Sequence, residues 1–248
     1  MTRTFRLAVL ECDTPVPAVK EARGTYGEVF RTLLTKGKEG LGAKGEEVEL
    51  QITKWDVVTA LEYPNVEDID GLWISGSKHT SFADDAWILV LVDYVKKVLT
   101  TTKVPVVGIC FGHQIIGRAL GVKVGVSPGG WEVSVDKIDL NEHGQKLLGT
   151  STISLHQMHR DAVLEVPEGA VLLGSSPSCQ IQGLYQEGRY ISFQAHPEFD
   201  EFIMTNILKM RHEQKIFNDA MFEDAMERAP KHHDGVLVST AIWNFLLA

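Results

Sequence analysis

An apolar run that ends at a cysteine constrains the fold of this 248-residue chain more than any other feature. Residues 104–109 read as a buried strand, Cys110 follows at once, and residues 111–120 carry the apolar spacing of a helix. This pattern places the thiol on a sharp strand-to-helix turn, the arrangement that the G-x-S-x-G elbow uses to expose a serine. Gly108 and Gly112 flank the cysteine and allow the backbone to turn tightly.

A second apolar run supplies the partners that a nucleophilic cysteine needs. Residues 190–195 read as a strand and are followed directly by His196, Pro197 and Glu198. We interpret His196 as the general base and acid, and Glu198 as the carboxylate that orients its ring. A cysteine, a histidine and a carboxylate, each at the end of a strand, predict a nucleophilic hydrolase.

The order of elements predicts an α/β fold. Strands and helices alternate in the first half of the chain, which indicates a doubly wound, mostly parallel sheet with helices on both faces. The second half is richer in strands and predicts a small antiparallel extension. We expect one domain, residues 1–248. Residues 36–47, with four glycines and several charges, are predicted to be a mobile loop. The predicted strands are residues 7–10, 48–55, 71–74, 104–109, 131–140, 170–173, 181–185 and 190–193, and the predicted helices are residues 26–34, 84–99, 111–120, 199–226 and 238–247.

Composition argues against several classes of protein. The formal net charge of -9 disfavours nucleic-acid binding, which usually requires a basic face. The three cysteines are too few and odd in number for a disulfide framework, and they fit a reducing compartment. The longest apolar run, residues 87–92, is far shorter than a membrane span. We expect a cytoplasmic protein without membrane or nucleic-acid partners, with Cys12 and Cys179 in its core.

The surroundings of Cys110 suit both a thiolate and an oxyanion. The positive end of the following helix favours the thiolate over the thiol. The N–H of Phe111 is a natural oxyanion donor, like that of the residue after the serine in a nucleophile elbow. We expect a second donor from Gly76 or Ser77, because the loop after strand 71–74 should reach the same carboxyl edge of the sheet.

The sequence indicates neither a metal site nor a nucleotide site. The histidines that could suggest a metal have no accompanying thiolate pair, and the H-E-x-x-H helix is missing. These histidines are His156, His159, His232 and His233. The G-x-G-x-x-G and Walker A patterns are missing as well. We therefore expect no metal and no cofactor, and a small molecule as substrate.

Together these residues resemble the class I, or triad-type, glutamine amidotransferases. Residues 108–114 are similar to the family's G-x-C-x-G-H-Q motif, and residues 196–198 to its H-P-E motif. Residues 75–77 resemble its glycine-rich oxyanion loop. Residues 156–161 resemble the M-x-H-x-D segment of the branch that contains GMP synthetase amidotransferase domains. The resemblance covers residues 7–199 and implies a flavodoxin-like fold.

The resemblance also implies roles for individual residues. Cys110 would attack the γ-carbonyl of a γ-glutamyl group, while the N–H groups of Gly76 and Phe111 hold the oxyanion. Ammonia or an amine would leave, and water would then release glutamate. The residues expected to bind the substrate are Ser77, Gln114, Gly130 and Trp131.

Two departures separate the chain from amidotransferases that feed ammonia to a synthetase. No ATP-using domain is recognisable in the sequence, and Ser77 stands where the family usually has a second glycine. The chain is more similar to stand-alone GMP-synthetase-like proteins of fungi and plants, some of which are γ-glutamyl peptidases that hydrolyse glutathione or its conjugates. Lys78 and His79 in the same loop would then shape a pocket for an extended leaving group.

Three functions stay open on the sequence alone. The first is hydrolysis or transfer of a γ-glutamyl amide, in glutamine or in a peptide such as glutathione. The second is a glutaminase subunit that delivers ammonia to a separate synthetase. The third is a non-catalytic regulatory or binding protein, because a fold does not fix a function. A general peptidase of the related intracellular type is disfavoured, since it would carry a histidine in place of Phe111.

Overall fold

A computed structural model describes residues 2–248 of the chain. Its central element is a mixed sheet of nine strands. The strands are β1 (Arg3–Glu11), β2 (Val48–Asp56), β3 (Gly71–Ile74), β4 (Val106–Ile109), β5 (Val124–Val126), β6 (Glu132–Leu140), β7 (Thr152–His159), β8 (Asp161–Val163), β9 (Val171–Ser175), β10 (Gly183–Gln186) and β11 (Tyr190–Phe193). The helices are α1 (Pro17–Arg23), α2 (Tyr26–Glu39), α3 (Ala43–Glu46), α4 (Ala86–Thr101), α5 (Phe111–Ala119), α6 (Glu142–Leu148), α7 (Glu201–Glu213), α8 (Asp219–Arg228) and α9 (Gly235–Leu246), and a 3-10 turn spans Val66–Asp68.

The strand order confirms the predicted fold class. The large sheet runs β2-β1-β3-β4-β11-β10-β9-β6-β7. Its first five strands pair in parallel, and β10, β9, β6 and β7 extend it in antiparallel fashion. Strands β5 and β8 form a separate antiparallel pair. The extension therefore grows from β11, the strand that precedes His196.

Both faces of the parallel half are buried, as alternation along β1 shows. Leu7 and Val9 belong to the core on one face, together with Phe30 of α2 and residues of α9. Ala8 and Leu10 belong to the core on the other face, together with residues of α4 and α5. Successive side chains of a strand point to opposite faces, so a continuous apolar run is what a sheet covered on both sides requires.

The parallel strands deliver four chain segments to one edge of the sheet. Residues 12–16 follow β1, residues 75–85 follow β3, Cys110 follows β4, and residues 194–200 follow β11. Because β1, β3, β4 and β11 are consecutive neighbours in the sheet, these segments meet. Ligands of open α/β sheets bind at this carboxyl edge.

The prediction of a mobile loop at residues 36–47 is wrong. Helix α2 continues to Glu39, and α3 spans Ala43–Glu46. A Cβ added at Gly37 would collide with the side chain of Ser239 on α9, so this glycine permits close contact between two helices. Close packing overrides the loop-like composition, as tertiary context often does.

Other boundaries differ from the predicted ones in ways that packing explains. Strand β7 (Thr152–His159) was not predicted, although it pairs along its whole length with β6. The helix predicted at residues 199–226 is two helices, α7 and α8, separated near Lys215, whose φ is 59°. Cys12 and Cys179 are buried free thiols. Within residues 2–248, every helix is too short or too polar to cross a bilayer.

Candidate active site

Cys110 occupies a strained turn between β4 and α5. Its φ is 51° and its ψ is -101°, a conformation that costs a non-glycine residue about 1–3 kcal/mol. A Cβ at Gly108 would lie 2.7 Å from the carbonyl carbon of Gly112, and a Cβ at Gly112 would collide with the carbonyl of Ile74. Both glycines are thus required by close backbone approach, and the predicted sharp turn is confirmed.

His196 lies beside Cys110 and is held in place from three sides. Its backbone N–H donates to the carbonyl of His156 at 2.8 Å, which ties it to β7 of the antiparallel extension. Its ring stacks on Phe199, with the centroids 4.0 Å apart and the planes at 9°. Its Nδ1 lies 2.8 Å from Oε1 of Glu198. The other side of the ring is left for Cys110, whose proximity raises the pKa of His196.

The charges of this trio favour a protonated imidazole. Burial alone lowers the pKa of His196, but the neighbouring Glu198 and Cys110 raise it by more, so its pKa lies above the ordinary value. The Glu198 carboxylate is buried, and its only hydrogen bond within residues 2–248 is to that ring. A protonated imidazole next to Cys110 stabilises a thiolate, the nucleophilic form.

The two expected oxyanion donors belong to segments that meet at Cys110. A Cβ added at Gly76 would lie 3.8 Å from Cβ of Cys110 and 2.8 Å from Cε1 of His196, so the loop after β3 touches both residues. The N–H of Gly76 has no backbone acceptor within residues 2–248, and the N–H of Phe111 belongs to the first turn of α5, where none exists. Both N–H groups can therefore donate to a bound oxyanion.

Ser77 anchors this loop through its side chain. Its hydroxyl donates to the carbonyl of Cys12 at 2.8 Å and accepts from the N–H of His79 at 3.1 Å. Ser75 adds a second tie, accepting from the N–H of Cys12 at 2.9 Å. Ser77 and Ser75 thus fasten the loop after β3 to the segment after β1.

Two adjoining cavities open at Cys110 and His196, each of about 270 Å³. The first, which we call the polar cavity, is lined by residues that include Cys110, Gln114, Trp131, Arg160 and Asp161. The second, which we call the apolar cavity, is lined by residues that include His196, Val16, Tyr26, Phe199 and Ile207. The residues that line both are Ser77, Lys78, Met158 and Arg211.

Of the residues predicted to bind the substrate, some line the cavities and one does not. Gln114 and Trp131 line the polar cavity, and the Gln114 amide nitrogen donates to the carbonyl of Asp161 at 2.8 Å and to Oε1 of Gln194 at 3.1 Å. Gly130 is outside both linings and forms a turn with φ of 74°, its N–H bonded to the Ser127 carbonyl at 3.0 Å. Lys78 lines both cavities, whereas His79 lines the polar cavity and is not among the residues lining the apolar cavity.

A buried polar group lies behind the polar cavity and could in principle hold a metal. Ligand atoms of Glu132, His159 and Cys179 lie within 4.8 Å of one another. Both oxygens of Glu132 accept hydrogen bonds, from Ser176 and from Gln182. Burial raises the pKa of the Cys179 thiol to about 12, so that thiol stays protonated at neutral pH. The group has the character of a hydrogen-bond network rather than of a ligand set.

Several cavity residues were not found by sequence reasoning. Asp13 and Val16 follow β1, and Arg211 projects from α7. Gly76 was located by the rule that segments after parallel strands share one edge of the sheet. The same rule applies to the segment after β1 and could have identified Asp13 and Val16. Arg211 lies in the last turn of α7, and no sequence pattern marks it.

Comparison with known proteins shows which family the sequence is similar to. The model of the class-I glutamine amidotransferase family matches residues 38–239. A glutamine amidotransferase-like protein of Schizosaccharomyces pombe is 34% identical over 98% of this chain and 99% of its own length. Gamma-glutamyl peptidase 2 of Arabidopsis thaliana is 33% identical over 91% of this chain and 89% of its own.

A solved structure extends the likeness to the fold. The crystal structure of a glutamine amidotransferase from Thermotoga maritima has a TM-score of 0.71 to this chain, covers 98% of it and 99% of itself, and is 16% identical in sequence. That identity supports the fold alone, whereas the family match spans most of the residues that build the site. The chain belongs to the class I glutamine amidotransferase family.

Proposed function

We propose that the chain is a hydrolase that cleaves γ-glutamyl amide bonds through a γ-glutamyl thioester on Cys110. The observation that carries this proposal is that Cys110 lies near the His196 ring, that Glu198 is hydrogen-bonded to that ring, and that two backbone N–H groups at the same turn and loop have no backbone acceptor within residues 2–248. A nucleophile, a base that is oriented by a third group and a set of oxyanion donors are the parts that acyl transfer requires.

The reaction follows from these positions in two halves. The Cys110 thiolate adds to the γ-carbonyl carbon, and the N–H groups of Gly76 and Phe111 hold the resulting oxyanion. Protonated His196 gives its proton to the leaving nitrogen, the C–N bond breaks, and the thioester forms as the amine departs. Neutral His196 then takes a proton from water, which attacks the thioester carbonyl, and the C–S bond breaks to release glutamate and restore the thiolate.

A γ-glutamyl peptide is the substrate version that the cavities favour. The polar cavity holds Cys110 and can take the glutamyl group, and the apolar cavity offers a second volume of about 270 Å³ next to His196. Ammonia, which is about the size of a water molecule and so needs about 30 Å³, would leave that volume unused. Relatives named gamma-glutamyl peptidases in Arabidopsis thaliana support the same reading.

The alternative is a glutaminase subunit that delivers ammonia to a separate synthetase. The description of the Schizosaccharomyces pombe relative as glutamine amidotransferase-like is compatible with it. A non-catalytic regulatory protein is the third candidate, but it has no chemical need for a buried Cys110–His196–Glu198 arrangement.

Release of free glutamate by the purified chain distinguishes these functions. Glutamine and glutathione are offered separately, with Cys110→Ala as the control, and the intact mass of the protein during turnover is checked for one added glutamyl group. We expect release from glutathione that depends on Cys110. Release from glutamine that rises sharply only when a synthetase partner is added would support the subunit, and no release from either would support the binding protein.

A further inference from the structure

The guanidinium of Arg211 is a positive charge without a partner at the junction of the two cavities. It lines both of them, and its Nε is buried without a hydrogen-bond acceptor. Burial lowers the pKa of Arg211, although the nearby Asp13 and Tyr26 raise it in part. A partly buried charge that lacks a counterion is costly, and a bound anion would relieve that cost.

Asp13, an acidic side chain that lines the apolar cavity with Arg211, is bound by another cation. Asp13 accepts from Nζ of Lys78 at 2.6 Å and from the backbone N–H of Lys78 at 2.8 Å. The N–H of Thr14 donates to the same carboxylate at 2.8 Å. Asp13 thus forms its ion pair with Lys78, and Arg211 makes no ion pair within residues 2–248.

The position of His196 decides which cavity takes the leaving group. The reacting carbonyl carbon lies at Cys110, and the group that gives a proton to the leaving nitrogen is His196. Cys110 lines the polar cavity, whereas His196 lines the apolar cavity. The leaving amine therefore projects into the apolar cavity while the glutamyl part stays in the polar cavity.

The walls of the apolar cavity suit a carbon-rich group. They are formed largely by apolar side chains, which include Pro15, Val16, Phe199, Ile207 and Met210. An apolar wall with one convergent charged group is how proteins bind amphipathic small molecules.

We propose that Arg211 binds a carboxylate of the leaving amine, and that the apolar cavity holds that amine's side chain. This inference rests on the proposed hydrolase function and names its substrate class, γ-glutamyl amino acids or peptides whose leaving part carries an apolar side chain and a free carboxylate. Arginine suits this role because its planar group can hold a carboxylate with two parallel hydrogen bonds.

The test compares two substrates that differ only in the carboxylate, γ-glutamyl-leucine and γ-glutamyl-leucinamide. We expect the wild-type kcat/KM to be about 10- to 100-fold higher for the first, the range of one hydrogen bond to a charged group. Arg211→Gln should lower the value for γ-glutamyl-leucine to that for the amide, mainly through KM, and change the value for the amide less than about threefold. Arg211→Lys should restore part of the preference.

Lys209→Gln on the same helix is the matched control, since it removes the same charge from an exposed position. It should leave the preference unchanged, and thermal unfolding checks that both variants are folded. Equal losses on both substrates in Arg211→Gln, or a wild-type enzyme indifferent to the carboxylate, would overturn the inference while leaving the hydrolase proposal standing. If no substrate yields glutamate in a Cys110-dependent way, the proposed function fails and this inference fails with it.

Discussion

Replacing Gly76 by alanine tests the active-site geometry directly, because the backbone N–H that we assign to the oxyanion is kept. The added Cβ would lie 2.8 Å from Cε1 of His196. Carbon atoms in contact are normally about 3.5–4.0 Å apart, so the ring would have to retreat by about 0.7 Å or more. Phe199 stacks against the ring and Glu198 holds its Nδ1, so retreat breaks one of these contacts.

The expected loss follows from the sensitivity of catalysis to position. A misplacement of about 1 Å costs about 10²-fold, so we expect kcat/KM of Gly76→Ala to fall by about 10²-fold. Overpacking should also lower the free energy of unfolding by about 1–3 kcal/mol. Cys110-dependent glutamate release from a γ-glutamyl peptide and urea unfolding measure the two effects.

Gly125→Ala is the matched control for this substitution. A Cβ at Gly125 would meet only the end of a leucine side chain, at 3.4 Å, so activity should stay near that of the wild type. A folded Gly76→Ala variant with kcat/KM within about threefold of the wild type would refute the reasoning, since the loop could not then pack against the catalytic ring as described.

Three further predictions address the nucleophile, pH and packing. Cys110→Ser should abolish turnover without unfolding the chain. His196→Ala should slow turnover more than Glu198→Gln, because an orienting group contributes less than the base, and steady-state kinetics measure both losses. Burial lowers the pKa of His156 to about 3, below its unfolded value, so the folded state binds fewer protons. The contribution of His156 to the free energy of unfolding should therefore be complete above pH 6.5 and should decrease by up to about 1.4 kcal/mol per pH unit as the pH falls below 6.5. His156→Leu should reduce the difference in unfolding free energy between pH 7 and pH 5, which urea titrations at the two pH values measure. Gly37→Ala should lower the unfolding free energy by about 1–3 kcal/mol, since its Cβ would collide with α9, and urea midpoints measure the loss.

The parallel half of the fold could be predicted because its signals are local. An apolar run that is buried on both faces, followed by a tight turn and a helix, fixes β4, Cys110 and α5 without long-range information. The end of β11 is marked in the same way, which is why His196 and Glu198 could be singled out. The shared carboxyl edge then predicts that the Gly76 loop lies near them.

The features that escaped prediction depend on contacts between distant segments. The helical state of residues 36–47 follows from the fit of Gly37 against α9, some two hundred residues later in the chain. Strand β7 is defined by its pairing with β6. Arg211 becomes a candidate binding residue only because α7 borders the two cavities in the folded chain. Local sequence patterns contain no information about such long-range contacts, which only the folded structure shows.

Because β4 pairs with β11, the candidate active site can assemble only after most of the chain has been synthesised. Val106 to Ile109 pair in register with Tyr190 to Phe193, and the N–H of Cys110 itself donates to the carbonyl of Phe193 at 2.8 Å. A nascent chain that ends before residue 190 therefore exposes a thiol with neither its base nor its final backbone anchor. Recovery of activity on refolding should consequently report the pairing of β4 with β11, and not formation of the Cys110 turn alone.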